Sequence, residues 1–141
     1  MILVDANIFM YAAGVEHPYK EPSKRFLEQV ARGEVDAALD AEVLQEILHR
    51  YRAIRRWSEG RAVYDLARQI VLIVIPITAE VVDLARHLLD RYEGLMARDA
   101  LHAAVARIHG AQAICSYDGD FDEIADLRRI EPSDKKSNRK K

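Results

Sequence analysis

The sequence predicts an α/β domain built on a central, mostly parallel sheet of four to five short strands with helices on both faces. Three observations carry this expectation. Short apolar runs rich in β-branched residues recur near residues 1–4, 35–39, 73–77 and 113–115. Segments with apolar residues at helical spacing lie between them. Strands that alternate with helices in this way assemble into a parallel sheet whose connections cover both faces.

The chain opens with Met1-Ile2-Leu3-Val4, an apolar run that stops at Asp5, and Asp5 can cap a helix beginning near Asn7. Pro22 and Ser23 open a helix with Phe26, Leu27, Val30 and Ala31 at helical spacing, which Gly33 closes. After the strand expected at 35–39, Asp40 can cap a long helix whose core face carries Val43, Leu44, Ile47 and Leu48, and which bears Glu46 among them. Residues 61–72 continue helically into the β-branched run 73–77. The longest uninterrupted apolar run, 70–75, is halted by Pro76 far short of the ~20 residues that cross a bilayer, so it reads as a buried strand or helix end. Thr78 caps the next helix, with Val81, Val82, Leu84, Ala85, Leu88 and Leu89 inward. A last helix over 98–109 carries Asp99 in its first turn and ends at Gly110. Ala113-Ile114-Cys115 then forms the final strand candidate, followed by Asp118, Asp120 and Asp122.

A chain of 141 residues, 50% of them hydrophobic, fits one domain with a real core and leaves no room for two. That domain is expected over residues 1–132, with no internal repeat and no linker before a basic tail at 133–141. The net charge of −2 hides an asymmetry. Lys135, Lys136, Arg139, Lys140 and Lys141 stand against Asp134, so the tail is +4 and the body −6. A tail without apolar residues cannot offset its ordering entropy and is expected to be disordered, either a solubilising end or an attractor of nucleic acid. The N-terminus lacks a basic region followed by an apolar core, and the single cysteine, Cys115, can make no internal disulfide. A reducing, cytoplasmic compartment is therefore expected, with no membrane.

Four acids stand out by position. Asp5 and Asp118 follow strands, where open α/β sheets place their binding crevice, Asp99 begins a helix, and Glu46 lies amid apolar neighbours. Singly, a cap, a helix dipole or a turn accounts for Asp5, Asp99 and Asp118. Glu46 has no such account, because an ionised carboxylate among core positions is costly unless a cation or donor meets it. Two carboxylates ~4 Å apart repel by ~4 kcal/mol at an effective dielectric of about 20, so several acids in one pocket need bound metal to stay ionised. An oxygen donor set suits Mg²⁺ or Mn²⁺, whereas zinc would ask for histidine or cysteine.

Jointly, Val4-Asp5-Ala6-Asn7, Leu44-Gln45-Glu46-Ile47, Arg98-Asp99-Ala100-Leu101-His102-Ala103-Ala104 and Ser116-Tyr117-Asp118-Gly119-Asp120-Phe121-Asp122 resemble the PIN-domain ribonucleases in order and spacing. Within them the match is nearest to the VapC-type toxins of type II toxin–antitoxin pairs, and it runs from Met1 to about Pro132. The resemblance implies the PIN fold and a metal-dependent endoribonuclease that hydrolyses RNA phosphodiester bonds. It further implies a homodimer and a small cognate antitoxin as partner. By the same resemblance Asp5, Glu46, Asp99 and Asp118 are the catalytic acids that bind one or two Mg²⁺ or Mn²⁺ ions, and Asp120 shares the second. Asn7 and Ser116 match polar residues that orient those ligands or the attacking water. Ala6 departs from the pattern, standing where the family often has Thr or Ser, which removes one supporting hydrogen bond and leaves the ligands intact.

Phosphate contacts are expected from Arg50, Arg52, Arg55 and Arg56 beyond Glu46, from Arg98 and from the tail, against the plainer reading of a solvated helix face. Other readings remain open. A housekeeping PIN nuclease of RNA processing would share every motif. Glu46-x-x-His49 and Asp99-x-x-His102 have the spacing of di-iron carboxylate bundles, but these have no use for acids at strand ends. A binding-only module would be favoured by loss of an acid, and a receiver domain by paired acids after the first strand, where Asp5 stands alone. His102 reads as a core histidine or one that supports the acids, His49 as a surface one, and Cys115 as a small core residue. Tyr51, Ile54, Trp57, Tyr64 and Leu88 are expected at the surface, as a dimer face or an antitoxin groove.

Overall fold

The computed structural model describes residues 1–133, so the expectation for the basic tail falls, Ser133 apart, outside the described residues. In chain order the elements are β1 (Ile2–Val4), α1 (Ala6–Ala13), α2 (Lys20–Ala31), β2 (Ala37–Asp40), α3 (Ala41–Ala53), α4 (Trp57–Ile70), β3 (Val74–Ile75), α5 (Ala79–Arg91), α6 (Ala97–His109) and β4 (Ala113–Cys115). A short 3₁₀ helix (Gly119–Glu123) and β5 (Arg129–Ile130) follow. The strands form one sheet in the order β3-β2-β1-β4-β5, and all of its pairings are parallel.

The period of two along each strand divides the core. Val4, Leu39 and Cys115 point to one face, where they pack with Phe9, Leu27, Ile47 and Val63 of α1 to α4. Leu3, Ala38 and Ile114 point to the other, against Val81, Leu88 and Ala103 of α5 and α6. Strands buried on both sides need apolar residues at every position, which is why the short runs read as continuous rather than alternating. Local signals set the helix ends. Asp40 Oδ1 accepts from Val43 N at 3.1 Å, Thr78 Oγ1 from Val81 N at 3.2 Å, and Gly110 closes α6 at φ 66°, where a side chain would be strained.

Several expectations are corrected. Only Val74 and Ile75 of the run 73–77 pair as a strand, because Pro76 has no N–H to continue the ladder, and Leu72 is 84% exposed. β2 spans Ala37–Asp40 rather than 35–39, and α4 starts at Trp57 rather than at 61, after Arg55 turns the chain at φ 62°. Leu48, Val82 and Leu89 lie on exposed faces rather than in the core, since the inward stripe of each helix is narrower than the apolar pattern. Tyr51 and Leu88, expected at the surface, are buried, whereas Ile54 is exposed. Trp57 and Tyr64 are half-buried. The five-stranded sheet also removes the di-iron bundle, and His49 is exposed.

Strand order reverses direction at β1, which has β2 on one side and β4 on the other. Crevices form beyond the carboxyl ends of strands at such a switch point. Here Asp5 leaves β1 and Ser116 leaves β4, with Asp5 N donating to Cys115 O at 3.0 Å.

Candidate active site

Asp5 is held from two sides. It caps α1 through Oδ1, which accepts from Ala6 N at 2.7 Å, and its Oδ2 accepts from the Ser116 hydroxyl at 2.6 Å. Asn7 Nδ2 lies 3.4 Å from the same Oδ2 and 3.2 Å from Ser116 Oγ, and Asn7 Oδ1 accepts from Tyr117 N. Ser116 Oγ also accepts from Asp118 N at 2.9 Å. The two polar residues singled out beside the acids thus tie the end of β1 to the end of β4.

Asp118 turns the chain after β4 and caps the 3₁₀ helix, its Oδ1 accepting from Asp120 N at 2.9 Å. Asp99 enters from the first turn of α6 and is buried. Asp99, Asp118 and Asp120 each offer an oxygen within 4.8 Å of the others, so a cation could bind all three. Asp5, Glu46 and His102 form a second such group. The two groups are neighbours, for burial first and then the charges of Asp118 and Asp5 push the Asp99 carboxyl up to about 7. Burial likewise raises Asp5, opposed by His102 and the Ser116 hydrogen bond. Asp122 belongs to neither group. Arg129 holds it outside in a two-pronged ion pair and keeps its pKa below the ordinary carboxylate value.

Glu46 projects from α3 toward α6. Its Oε1 lies 2.6 Å from His102 Nε2, and its Oε2 faces Arg98 Nε at 3.8 Å. His102 Nδ1 in turn lies 2.6 Å from Asp40 Oδ2, and both residues are fully buried. Burial opposes a charge on His102, but Asp40, Glu46 and Asp5 outweigh it and raise the imidazole well above its ordinary range. Sequence reasoning gave Asp40 only a capping role. The available signal was a polar residue on each side of an apolar seam, Asp40 after Ala38-Leu39 and His102 between Ala100 and Ala103.

Of the arginines, Arg98 lies at the rim of the acids, with its side chain 58% exposed. Arg50, Arg52, Arg55 and Arg56 are exposed around the end of α3, where Arg52 covers the Trp57 ring at 4.9 Å and Arg56 pairs with Glu59. None of these four pairs with Asp5, Glu46, Asp99, Asp118 or Asp120. Cys115 is buried and its thiol is pushed far up by burial, so it is a neutral core side chain rather than a nucleophile. Beside Asp118, Tyr117 stacks on Tyr19 at 3.7 Å, which pins the segment between α1 and α2 to the end of β4.

The donor set fits a hard divalent cation. Oxygens dominate both groups, and Asp99 sits so close to like charges that a cation would relieve the repulsion. Among the described residues no helix is long and apolar enough to cross a membrane.

A family model described as the PIN domain matches residues 2–127. Ribonuclease VapC13 of Mycobacterium tuberculosis is 44% identical over 130 residues, covering 92% of this chain and 99% of that protein. Ribonuclease VapC23 of the same species is 38% identical over 118 residues, covering 84% and 93%. Among solved structures, VapC20 of M. tuberculosis, a toxin that cleaves the sarcin-ricin loop, superposes with a TM-score of 0.69 at 22% identity over 90% of this chain and 97% of that one. VapBC2 from Rickettsia felis, bound to a promoter DNA fragment, gives a TM-score of 0.72 at 22% identity over 94% and 100%. These last two are likenesses of fold.

Proposed function

The chain belongs to the PIN-domain family and, within it, to the VapC ribonucleases, and from that membership we propose that it is a metal-dependent endoribonuclease acting as the toxin of a toxin–antitoxin pair. The observation that carries the reading is the meeting of acids from β1, α3, α6 and the turn after β4 at the switch point of the sheet. Asp5, Glu46, Asp99 and Asp118, with Asp120 at the exposed side, would hold one or two Mg²⁺ or Mn²⁺ ions. When bound, such an ion neutralises the scissile phosphate and acidifies the attacking water.

The chain's own groups do the rest. Ala6 N and the Ser116 hydroxyl aim both Asp5 oxygens, and Asn7 braces Ser116. Burial and the charges of Asp118 and Asp5 hold the Asp99 carboxyl up to about 7 without metal, and a cation bound there would lower it, so that Asp99 would serve as a charged ligand. Arg98, charged and half exposed beside Glu46, meets the incoming phosphodiester and offsets an acidic body. Hydrolysis forms a bond from the water oxygen to phosphorus and breaks one to a ribose oxygen, which leaves with a proton. Single-stranded RNA is the favoured substrate, because unpaired segments can be splayed into a crevice.

The partner is a small antitoxin, in line with the VapBC2 assembly from R. felis, and the proposal includes a second copy of the chain in a homodimer. Exposed Ile54, Val82 and Leu89 supply apolar surface for such contacts. An RNA substrate places its action in the cytoplasm. The reading is tested by cleavage of single-stranded RNA before and after chelation: activity lost with EDTA and restored by Mg²⁺ or Mn²⁺ supports it, and activity indifferent to chelation refutes it.

A further inference from the structure

His102 occupies an unusual place for a buried residue. It is 1% exposed, yet both ring nitrogens are spent on carboxylates from α3 or its cap, Nδ1 on Asp40 Oδ2 and Nε2 on Glu46 Oε1, each at 2.6 Å. Asp40 is anchored in turn. It ends β2, is 1% exposed, and its other oxygen accepts from Val43 N at the start of α3. The ring therefore cannot rotate without breaking a buried contact to Asp40 and a part-buried one to Glu46, each costly to leave unmade.

Glu46 lacks any such constraint of its own. A glutamate loses about 1.5–2 kcal/mol of rotamer freedom when fixed, and the charge on Arg98, 3.8 Å from Oε2, draws the carboxylate toward the solvent rim. His102 meets the other Glu46 oxygen from one helical turn beyond Asp99 on α6, with Nε2 also 3.7 Å from Asp5 Oδ1. Asp99 and His102 thus share one face of one helix, the first among the candidate ligands and the second behind Glu46.

We propose that Asp40 and His102 form a positioning relay that holds the Glu46 carboxylate inside the pocket, beside Asp5, instead of at Arg98 and solvent. His102 acts through Glu46 and is a positioning residue. The proposal deepens the metal-dependent reading and rests on it. Partners of this kind, which orient a metal-binding carboxylate from behind, typically govern metal affinity by about 10–100-fold.

The test is Mn²⁺ affinity of the full chain, read as free ion by electron paramagnetic resonance, with a thermal melt of each variant. A glutamine amide at 102 reaches the place of Nε2 and still donates to Glu46, whereas an asparagine reaches only that of Nδ1. His102→Asn should weaken Mn²⁺ binding about 10–100-fold, and His102→Gln should retain most of it. Adding His102→Asn to Glu46→Gln should cause little further loss, because the ring works only through that carboxylate. Asp40→Asn, which can still accept from Val43 N but no longer presents a carboxylate to His102 Nδ1, should also weaken Mn²⁺ binding and keeps the test open if a change at His102 prevents folding, since wild-type affinity in folded Asp40→Asn would overturn the relay. Wild-type affinity in folded His102→Asn, or losses that add in the double variant, would overturn the relay. So would nitrogen hyperfine coupling to the bound Mn²⁺, which would make His102 a ligand. Failure of the wild type to bind Mn²⁺ would refute the metal reading itself and the relay with it, whereas binding that ignores these variants would refute the relay alone.

Discussion

The Ser116 hydroxyl donates to Asp5 Oδ2 at 2.6 Å, joining residues 111 positions apart across the seam between β1 and β4. Ser116 Oγ also accepts from Asp118 N, so one buried hydroxyl fixes an acid on each side of the crevice. Ser116→Ala should therefore cost about 1–3 kcal/mol, the price of leaving the Asp118 N–H and an Asp5 oxygen without a buried partner. Urea unfolding in EDTA measures it. A change within about 0.5 kcal/mol, the range of an ordinary surface substitution, would mean that the seam does not depend on this hydroxyl.

Stability without metal should fall as pH rises from about 4 to about 7. The unfolded chain gives up the Asp99 proton near 3.8 while the folded protein keeps it to about 7, so the folded state binds more protons through this window. Asp5, raised in the same direction, adds to the effect. His102 contributes stability that is complete below its unfolded value of 6.5 and is lost progressively as pH climbs from there through its much higher folded value. All three slopes have one sign. Thermal melts in EDTA at pH 5 and pH 8 should show the lower melting temperature at pH 8, and Asp99→Asn should narrow the difference. A higher melting temperature at pH 8 would contradict the crowding of these acids.

Gly60 sits where α3 and α4 approach closely. A Cβ there would lie 2.4 Å from Tyr51 Cβ, so Gly60→Ala must push the helices apart. Overpacking of this kind costs about 1–3 kcal/mol, against about 1 kcal/mol gained in helix propensity. Chemical denaturation should show net destabilisation, and a stabilised variant would show that the helix pair yields freely.

Arg98→Gln should weaken binding of single-stranded RNA in Ca²⁺ and reduce its salt dependence by about one counterion, while leaving Mn²⁺ affinity largely in place. Arg50→Gln, exposed in the last turn of α3, should do less. Equal effects at the two positions would relocate the RNA path.

Fold and site were legible to different depths. Caps and β-branched runs are local signals, and Thr78, Asp40 and Ala113-Ile114-Cys115 fall where those signals put them. β5 carries no such signal: it is Arg129-Ile130, two residues that become a strand only by pairing with Ile114 and Cys115. Leu48 and Val82 were misread because apolar spacing shows that a helix has a buried face and leaves its width to the neighbours. Asp5, Asp99 and Asp118 each had a structural account alone, and Asp5 and Asp118 are indeed helix caps as well. Only their joint order suggested a site. The Asp40–His102 contact spans 62 residues between α3's cap and α6, so the apolar neighbours that single out each residue do not tell that the two meet.

The central claim is that the clustered acids hold the ion that cleaves RNA, and Asp99→Asn tests it most directly because the amide keeps the size of the side chain and removes the charge that binds the cation. Single-stranded RNA should be incubated with wild type and with Asp99→Asn, each in EDTA and each with Mn²⁺. The account predicts cleavage by the wild type in Mn²⁺ alone, with the variant folded and nearly inactive in both conditions. Equal cleavage by the two proteins, or wild-type cleavage undiminished by EDTA, would contradict it.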